Sequence, residues 1–151
     1  EESGLPWRWY IVEDAAQLPA ETEDFLRLMR NDPAKAKFLT PAMQQQMQRN
    51  IRCAFESGCL HLAFLEISGQ KAAAYLSFDY LNRVWVYNSG LDRQFNEFSP
   101  GWVLLAHLLR WANENGRAEF DFMRGDEEYK YRFGAADRTV VRAELKRILR
   151  T

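Results

Sequence analysis

The spacing of hydrophobic residues divides the chain near residue 58. Before that point, apolar positions recur every three or four residues, which is typical of helices that bury one face. We predict helices over residues 22–30 and 40–57. Asn31-Asp32-Pro33 ends the first, because proline cannot continue a helix. Thr40-Pro41 begins the second, as a capping residue followed by proline at the first helical position. The buried face of this second helix is expected to carry Met43, Met47, Ile51, Ala54 and Phe55.

Beyond residue 58 the pattern becomes that of β-strands. Residues 59–67 are apolar at successive positions, so both faces of this strand are expected to be covered. Short turns at 68–70 and 81–83 separate three consecutive strands, which we expect to form an antiparallel meander. The meander strands are predicted over residues 59–67, 71–80 and 84–89.

The remaining elements alternate between helix and strand. A loop over 90–99 leads to a largely buried helix over 100–115, which precedes a strand over 118–123. The crossover rule makes this strand a parallel neighbour of the third meander strand. Parallel neighbours that separate at their carboxyl ends leave a gap for a ligand. One or two helical turns over 126–133 and a last strand over 138–145 complete the chain.

This order predicts an α/β (α+β) fold, with a mixed, mainly antiparallel sheet flanked by helices. The 151 residues, 47% of them hydrophobic and 14% aromatic, suffice for one folded core. We expect a single domain over 1–151 with its core at about 38–145. The aromatic and β-branched segment 7–12 is either a further strand or packs on a missing neighbour. Because an initiator methionine is lacking, we expect a fragment of a longer protein.

Charge and composition narrow the class of protein. The net charge of −1 argues against nucleic acid as a partner, and no apolar run approaches the ~20 residues of a membrane helix. The N-terminus has no signal-peptide pattern, so we expect a cytoplasmic protein in which Cys53 and Cys59 are reduced, partly buried thiols. No metal site is expected, and His61 and His107 are interpreted as core residues. The basic end of the chain is interpreted as a guarded edge strand and solvated tail, carrying Arg138, Arg142, Lys146, Arg147 and Arg150.

The start of the buried helix is a candidate anion site. Ser99 can cap the helix, Pro100 presets the first turn, and Gly101 allows close approach of a ligand. The turn continues with Trp102. Unpaired N–H groups and the partial positive charge of a helix start suit a phosphate. The alternative is an ordinary Ser-Pro-Gly helix start, and the nearby Glu97 opposes phosphate binding.

Asp121 is a candidate catalytic carboxylate. Alternation places it on the face opposite Phe120 and Phe122, on an otherwise apolar strand. Burial of a carboxylate is costly unless the group is paired. Asp121 is therefore either a general base or acceptor contact at a cleft, or a structural carboxylate bonded to backbone N–H groups, to Arg124 or to Lys130.

Two segments resemble the GNAT N-acetyltransferase superfamily, and more narrowly its branch named after a cellulose-biosynthesis protein. One is Phe98-Ser99-Pro100-Gly101, which opens the buried helix. The other, residues 120–133, is similar to the branch's Phe-Asp-Phe…Gly…Tyr-Lys…Phe signature. The resemblance covers about 38–133 and implies the GNAT fold. It also implies acetyl-CoA or another acyl-CoA as co-substrate, no metal, and a small-molecule, saccharide or amine acceptor. Because members of this branch often carry two GNAT-like domains, we expect the chain to be the C-terminal part of a longer two-domain protein, packed against a missing N-terminal domain.

The resemblance also implies roles for individual residues. In this family the third meander strand separates from its parallel neighbour and pairs with the pantetheine arm of CoA, and one of its N–H groups polarises the thioester carbonyl. These roles fall on Tyr87, Asn88 and Ser89, for which a strand end passing into a polar turn is the alternative. Tyr129 matches the tyrosine that protonates the departing CoA thiolate, with Tyr131 as the second candidate.

Two further positions follow from the same comparison. Lys130 would neutralise a CoA phosphate or pair with Asp121. Most GNAT enzymes bind the pyrophosphate with an Arg/Gln-x-x-Gly-x-Gly/Ala loop, whereas residues 96–101 read Asn-Glu-Phe-Ser-Pro-Gly here.

Three functions are therefore compatible with the sequence. The first is transfer of an acyl group from acyl-CoA to an amine or hydroxyl by direct attack. The second is a Fem-type transferase, which shares the fold and uses aminoacyl-tRNA. The third is a degenerate GNAT-like module used for ligand binding or interdomain packing, for which the altered pyrophosphate loop is the main support.

Overall fold

A five-stranded sheet forms the centre of the fold, and its strands lie side by side in chain order. The computed structural model describes residues 4–145. The first four strands run antiparallel to one another and the fifth runs parallel to the fourth, which confirms the predicted mixed sheet. The strands are β1 (Trp7–Ile11), β2 (Leu60–Ile67), β3 (Gln70–Tyr80), β4 (Arg83–Leu91) and β5 (Glu119–Asp121).

Helices of the described chain flank this sheet. They include the two long helices predicted over residues 40–57 and 100–115. The helix predicted from residue 22 begins earlier, at Leu18. The predicted loop over 90–99 contains the end of β4 and a short 3-10 helix (Arg93–Phe98). The α-helices are α1 (Leu18–Arg30), α2 (Pro33–Phe38), α3 (Pro41–Glu56), α4 (Pro100–Glu114) and α5 (Glu128–Arg132).

Apolar residues cover both faces of the sheet. Leu62 and Phe64 of β2 belong to one buried cluster with residues of α1 and α3. Ala63 and Leu65 of the same strand belong to a second cluster with residues of α4. The prediction that residues 59–67 form a strand covered on both sides is confirmed. The sheet therefore separates an α1–α3 face from an α4 face, and the candidate site lies where β4 and β5 part.

Of the two interpretations given for segment 7–12, the structure shows a strand. It forms β1, which pairs with β2 from Trp7↔Ile67 to Ile11↔Ala63. The rings of Trp7 and Trp9 lie 5.4 and 5.3 Å from the His107 ring of α4. This contact ties the outer strand to the helix that covers it.

The predicted last strand over 138–145 is wrong. These residues form no strand, and the side chains of Val140 and Leu145 are 90% and 99% exposed. A strand needs a neighbour that can satisfy its backbone N–H and C=O groups, and β5 offers an edge of only three residues. Arg138 instead donates to the Glu119 carboxylate at 2.9 Å. Lys146, Arg147 and Arg150 of the predicted basic tail lie outside the described residues.

Other expectations can be compared directly. Cys53 and Cys59 are free thiols, but Cys53 is exposed and only Cys59 is half-buried. His61 is buried, as predicted, and its ring lies 4.3 Å from that of Trp111. In residues 4–145 no helix has both the length and the apolar character that crossing a membrane requires.

Candidate active site

The parallel strands β4 and β5 pair only at their amino-terminal ends. Their register is Arg83↔Glu119, Val84↔Phe120 and Trp85↔Asp121. β5 stops at Asp121, whereas β4 continues to Leu91. Residues 86–91 of β4 therefore have no partner on β5, and the two strands leave the opening that the sequence predicts.

A β-bulge lies at the beginning of this opening. Leu76 of β3 pairs with Asn88 and Ser77 pairs with Val86, so Tyr87 is the extra residue on β4. Tyr87 is 42% exposed, and its ring meets the edge of the Phe78 ring at 5.9 Å. Bulges bend a strand and redirect its side chains and backbone groups. The bulge therefore changes the direction of β4 just beyond its last contact with β5.

One backbone hydrogen bond determines which groups of β4 face the opening. Asp92 N–H donates to Ala72 C=O of β3 at 2.8 Å, so Ala72, and by alternation Ala74, faces β4. Tyr75 then faces the other way, towards β2. Its partner across the ladder, Ser89, must direct its own N–H and C=O away from β3 and into the opening.

Side chains bond these outward-facing groups of β4. Ser89 N–H donates to the Oδ1 of Asn88 at 2.8 Å. Ser89 C=O accepts from the Nζ of Lys35 at 2.6 Å, and Ser89 Oγ lies 3.2 Å from the same Nζ. Leu91 C=O accepts from the Nδ2 of Asn31 at 2.8 Å. The segment from Asn31 to Lys35 thus covers the outer part of the β4 edge, and the part around the bulge stays uncovered by it.

Lys35 is held at this position by the start of α2. Pro33 occupies the first position of the helix, and Asp32 caps it by accepting from the N–H groups of Ala34 and Lys35 at 2.8 and 3.0 Å. Burial lowers the pKa of the Lys35 ammonium, while Asp32 and Glu127 oppose that shift. Among residues 4–145, no carboxylate oxygen lies within 4.0 Å of this ammonium group, so the charge is held by neutral oxygen atoms.

Tyr129 of α5 lies on the α4 face of the sheet, half-buried. Its ring meets the Phe122 ring edge-on at 6.2 Å and packs against the cluster that contains Tyr75. Burial raises the pKa of Tyr129, and Glu127 raises it further. A tyrosine is already protonated at neutral pH, so the phenol carries the proton that a general acid donates, although the raised pKa makes it a weaker acid.

The loop between β5 and α5 is organised by Lys130. Its ammonium donates to the carbonyl groups of Arg124 and Gly125 at 2.9 and 3.1 Å and pairs with the Glu127 carboxylate at 2.7 Å. An ammonium has three N–H donors, so all are engaged within the loop. The predicted pairing of Lys130 with Asp121 is wrong, because Glu127 is closer along the helix and takes that place. Gly125 has φ +112°, and a Cβ there would collide with the Glu127 carboxylate.

Asp121 lines a cavity at the end of β5. Because paired residues of adjacent strands point to the same face, Asp121 lies on the face of Trp85, opposite the Phe120 and Phe122 rings of the α4 side. Its Oδ1 accepts from Met123 N–H at 2.6 Å, in a turn where Met123 has φ +54°. The cavity has a volume of about 740 Å³ and is lined by Trp85, Asp121, Arg124, Lys130, Tyr131 and Val140, among others.

The start of α4 differs from the expected anion site. Ser99 has φ +48° and makes no capping hydrogen bond with its side chain, so the prediction that its hydroxyl caps the helix is wrong. The left-handed backbone turns the Ser99 carbonyl inwards instead, where it accepts from Trp102 N–H at 3.0 Å. Pro100 and Gly101 are buried, and a Cβ on Gly101 would lie 3.0 Å from Cδ2 of Leu91. The close approach at Gly101 is thus made by Leu91 of β4.

The remaining part of this helix start faces α5. Trp102 is 42% exposed, its ring lies 5.1 Å from that of Phe133, and the Arg132 guanidinium is 5.8 Å from its centre. The predicted site residues therefore form three groups. Tyr87, Asn88 and Ser89 line the open edge, Ser99 to Trp102 lie beside it near α5, and Asp121 and Lys130 line the cavity at the end of β5. Tyr129 is linked to the edge through Tyr75, the partner of Ser89.

Sequence reasoning missed Lys35 and Asn31, which bond the edge of β4. The segment 31–33 was interpreted only as the end of α1. The signal was present, because Asp32-Pro33 has the same capping residue followed by proline that marks the start of α3 at Thr40-Pro41. A helix of six residues carries too little periodicity to be recognised by its hydrophobic pattern.

Comparison with known proteins supplies the remaining observations. A family model described as an acetyltransferase (GNAT) domain matches residues 1–131. No curated protein matches the sequence. Within residues 4–145 there is no group of three His, Cys, Asp or Glu side chains that could hold a metal ion.

Two solved structures have the same fold. One is an aminoglycoside acetyltransferase from an uncultured soil metagenomic sample, in complex with sisomicin. It is 14% identical, with a TM-score of 0.64, over 93% of this chain and 95% of that chain. The other is a possible acetyltransferase from Clostridium difficile 630, which is 8% identical, with a TM-score of 0.65, over 93% of this chain and 99% of that chain. At these identities the likeness concerns the fold.

Proposed function

The chain belongs to the GNAT acetyltransferase family, and on this premise we propose that it transfers an acyl group from acyl-CoA, acetyl-CoA in the simplest case, to a small acceptor. The acceptor group is an amine or a hydroxyl. The observation that carries the proposal is the separation of β4 from β5 beyond Trp85↔Asp121. It gives an extended ligand that contains amides, such as the pantetheine arm, a strand edge to pair with.

The backbone around the bulge is the proposed binding place for the thioester. Beyond Trp85 the edge is free of β5, and at Ser89 it is already bonded to Asn88 and Lys35. We therefore assign the pantetheine amides to the backbone groups of residues 86 and 87, before the bulge turns those of Asn88 towards β3. A backbone N–H near Tyr87 would polarise the thioester carbonyl and stabilise the negative charge that develops on its oxygen.

The reaction requires one bond exchange and two proton transfers. The acceptor nitrogen attacks the thioester carbon, the C–S bond breaks, and the acyl group remains on nitrogen. The CoA thiolate takes the hydroxyl proton of Tyr129, whose pKa is raised by burial. The surplus proton of the amine passes to Asp121 or to water. Asp121 is the less direct assignment, since it lies on the other face and closes a turn through Met123 N–H.

The phosphates of CoA are assigned to the start of α4. Pro100 has no N–H and Trp102 N–H is bonded to Ser99 C=O, so the main-chain donor left in this turn is Gly101 N–H. The exposed Ser99 hydroxyl, which makes no capping bond, is a second donor. This is a weaker anion site than an open helix start. Lys130 contributes to the site by ordering the loop before α5 and not as a phosphate ligand.

Finer assignments also belong to the proposal. The segment 120–133 supports the branch named after a cellulose-biosynthesis protein. The free thiols fit a cytoplasmic location, where thiols stay reduced. The neighbour solved with sisomicin supports a small-molecule acceptor. The Fem-type reaction and the degenerate module remain the alternatives, the second favoured by the weak anion site at α4.

Thermal unfolding with added ligands separates these three functions. Acetyl-CoA at 100 times its Kd should stabilise the chain by about 2.7 kcal/mol and raise the melting temperature. CoA without the acyl group is the control, because it measures the stabilisation that CoA provides without the thioester. A response to aminoacyl-tRNA but to no acyl-CoA would support the Fem-type reaction. No response to either ligand would support the degenerate module.

A further inference from the structure

Lys35 places a positive charge at the open edge of β4, with no carboxylate of residues 4–145 in direct contact with it. Its Nζ uses two of three N–H donors, on the carbonyl and hydroxyl oxygen atoms of Ser89. Among residues 4–145, no partner is bonded to the third donor. A half-buried ammonium that is bonded only to neutral oxygen atoms is costly, because the charged form loses hydration without gaining an ion pair.

The position of this charge is fixed by local structure. The cap at Asp32 orients the first turn of α2. The preceding residue, Asn31, donates from its Nδ2 to Leu91 C=O at 2.8 Å. Lys37, on the same short helix, is exposed and bonds to no group of β4. The contact with Ser89 is therefore specific to Lys35 and is not a general property of a basic helix.

The charge also lies beside the proposed reaction centre. Ser89 is two residues beyond the bulge at Tyr87 and pairs with Tyr75, which shares a cluster with Tyr129. The charge of Glu127 acts on both Lys35 and Tyr129 and raises the pKa of each. The ammonium of Lys35 therefore lies on the edge of β4 close to the place assigned to the thioester.

We propose that Lys35 determines the acceptor class, by binding a carboxylate on the acceptor while the acceptor amine faces the thioester. The inference rests on the proposed acyl transfer and deepens it. A charge-assisted hydrogen bond to a carboxylate restores the ion pair that the ammonium lacks. Polycationic acceptors are disfavoured, because they would bring further positive charge next to Lys35.

Matched acceptor pairs test this inference on the unaltered chain. Acetyl transfer is measured with glycine against glycinamide, L-glutamate against L-glutamine, and L-phenylalanine against L-phenylalaninamide. We expect the member with the additional carboxylate in at least one pair to have the higher kcat/KM by roughly 10-fold or more, as for a hydrogen bond between charged groups. Equal values within every pair, or preferred use of sisomicin, would overturn the inference and leave acyl transfer intact.

Variants of Lys35 provide the second measurement. Lys35→Met should raise KM for the preferred carboxylate roughly 10-fold or more, with little effect on its carboxamide or on the Kd of acetyl-CoA. Lys35→Arg should restore part of the loss, and Lys37→Met should behave as the unaltered chain. A uniform loss with all acceptors, or weaker acetyl-CoA binding, would assign Lys35 to the strand edge or to CoA and overturn the inference. If the unaltered chain neither binds acetyl-CoA nor transfers acetyl, the proposed function fails and the inference with it.

Discussion

Arg117 and Asp79 form a two-bonded ion pair at the closed end of the opening. Nε of Arg117 lies 2.6 Å from Oδ1 of Asp79, and Nη2 lies 2.6 Å from Oδ2. Arg117 precedes β5, and Asp79 belongs to β3, so the pair fixes the start of β5 relative to the meander. The guanidinium also lies 5.3 Å from the centre of the Trp111 ring. This pair, together with the bond from Ala118 N–H to Asn82 C=O, keeps β4 and β5 together where they do pair.

Arg117→Ala should lower the melting temperature of the chain. Two parallel hydrogen bonds of this geometry orient both partners, unlike a typical surface ion pair. Arg110→Ala, at an exposed position of α4, is the matched control and should leave the melting temperature unchanged. Equal melting temperatures for the two variants would show that the closed end does not depend on this pair.

Tyr129→Phe should reduce kcat by about 100-fold or more while leaving the Kd of acetyl-CoA unchanged, since general acid catalysis is worth roughly 10²–10⁴. Burial raises the pKa of Tyr129. The rate of the unaltered chain should therefore not fall through loss of this proton until the pH exceeds the pKa of an ordinary tyrosine. Tyr131→Phe is the control, as its hydroxyl bonds to Asp137 at 2.8 Å on the surface. Unchanged turnover in Tyr129→Phe would remove the assignment.

Asp121→Asn separates the two functions considered for this residue. The amide oxygen can still accept from Met123 N–H, so the turn and the melting temperature should be preserved. If Asp121 takes the proton of the acceptor amine, kcat/KM should fall by about 100-fold. Preserved turnover with preserved stability would assign Asp121 to the turn alone.

Two glycines of similar setting should respond differently to alanine. A Cβ on Gly90 would lie 2.7 Å from backbone atoms of Leu28 and Met29 in α1, whereas one on Gly101 would lie 3.0 Å from a methyl group of Leu91. Backbone cannot move aside as a side chain can, so Gly90→Ala should destabilise the chain by about 1–3 kcal/mol and Gly101→Ala by less. Urea unfolding of both variants measures the difference. The opposite order would show that α1 is not held tightly against β4.

His61 should make stability depend on pH. Burial lowers the pKa of His61 to about 4, with both ring nitrogens lacking a hydrogen-bond partner in the described structure. Below about pH 6.5, His61 therefore binds a proton in the unfolded chain but not in the folded chain. The free energy of unfolding is highest above that pH and falls between pH 6.5 and 4. The loss at pH 4 should be about 3 kcal/mol. The charged groups nearest to His61 are Asp79, which opposes the shift, and Arg117, which adds to it.

Urea unfolding between pH 4 and 7.5 measures this dependence. His61→Leu removes the group without adding an unpaired polar atom, and its stability should change less over the same range. Equal slopes for the variant and the unaltered chain would show that other groups cause the loss.

The sequence predicted the elements with strong periodicity and misplaced those without it. β2 and α4 follow from long apolar patterns, and the separation of β4 from β5 follows from their order. The strand over 138–145 was expected from alternation alone, but alternation does not reveal whether a neighbour exists to complete the ladder. The side-chain hydrogen bond at Ser99 was expected from residue type, whereas its left-handed backbone depends on how β4 and the 3-10 helix deliver the chain to α4.

The candidate site was predictable only where one segment supplies the chemistry. Tyr129 and Tyr87 could be named because each lies in a recognisable segment. Lys35 could not, because its importance comes from Ser89, 54 positions away in the sequence. The engagement of Lys130 by its own loop also required coordinates, since a lysine beside a glycine turn suits a phosphate equally well.

Because Tyr87 is an extra residue, β4 can pair with β5 before the bulge and bond to the segment after α1 beyond it. Val84 directs its backbone groups towards β5, and regular alternation would carry that direction to residues 86, 88 and 90. The insertion shifts the alternation by one residue after Tyr87. The backbone groups of Ser89 and Leu91, in place of those of residues 88 and 90, therefore point outwards and meet Lys35 and Asn31. A chain shortened by that one residue would present Gly90 to the turn after α1, and the lysine would face a different set of atoms. Acceptor choice in this protein is therefore tied to the length of a strand as well as to the identity of a side chain.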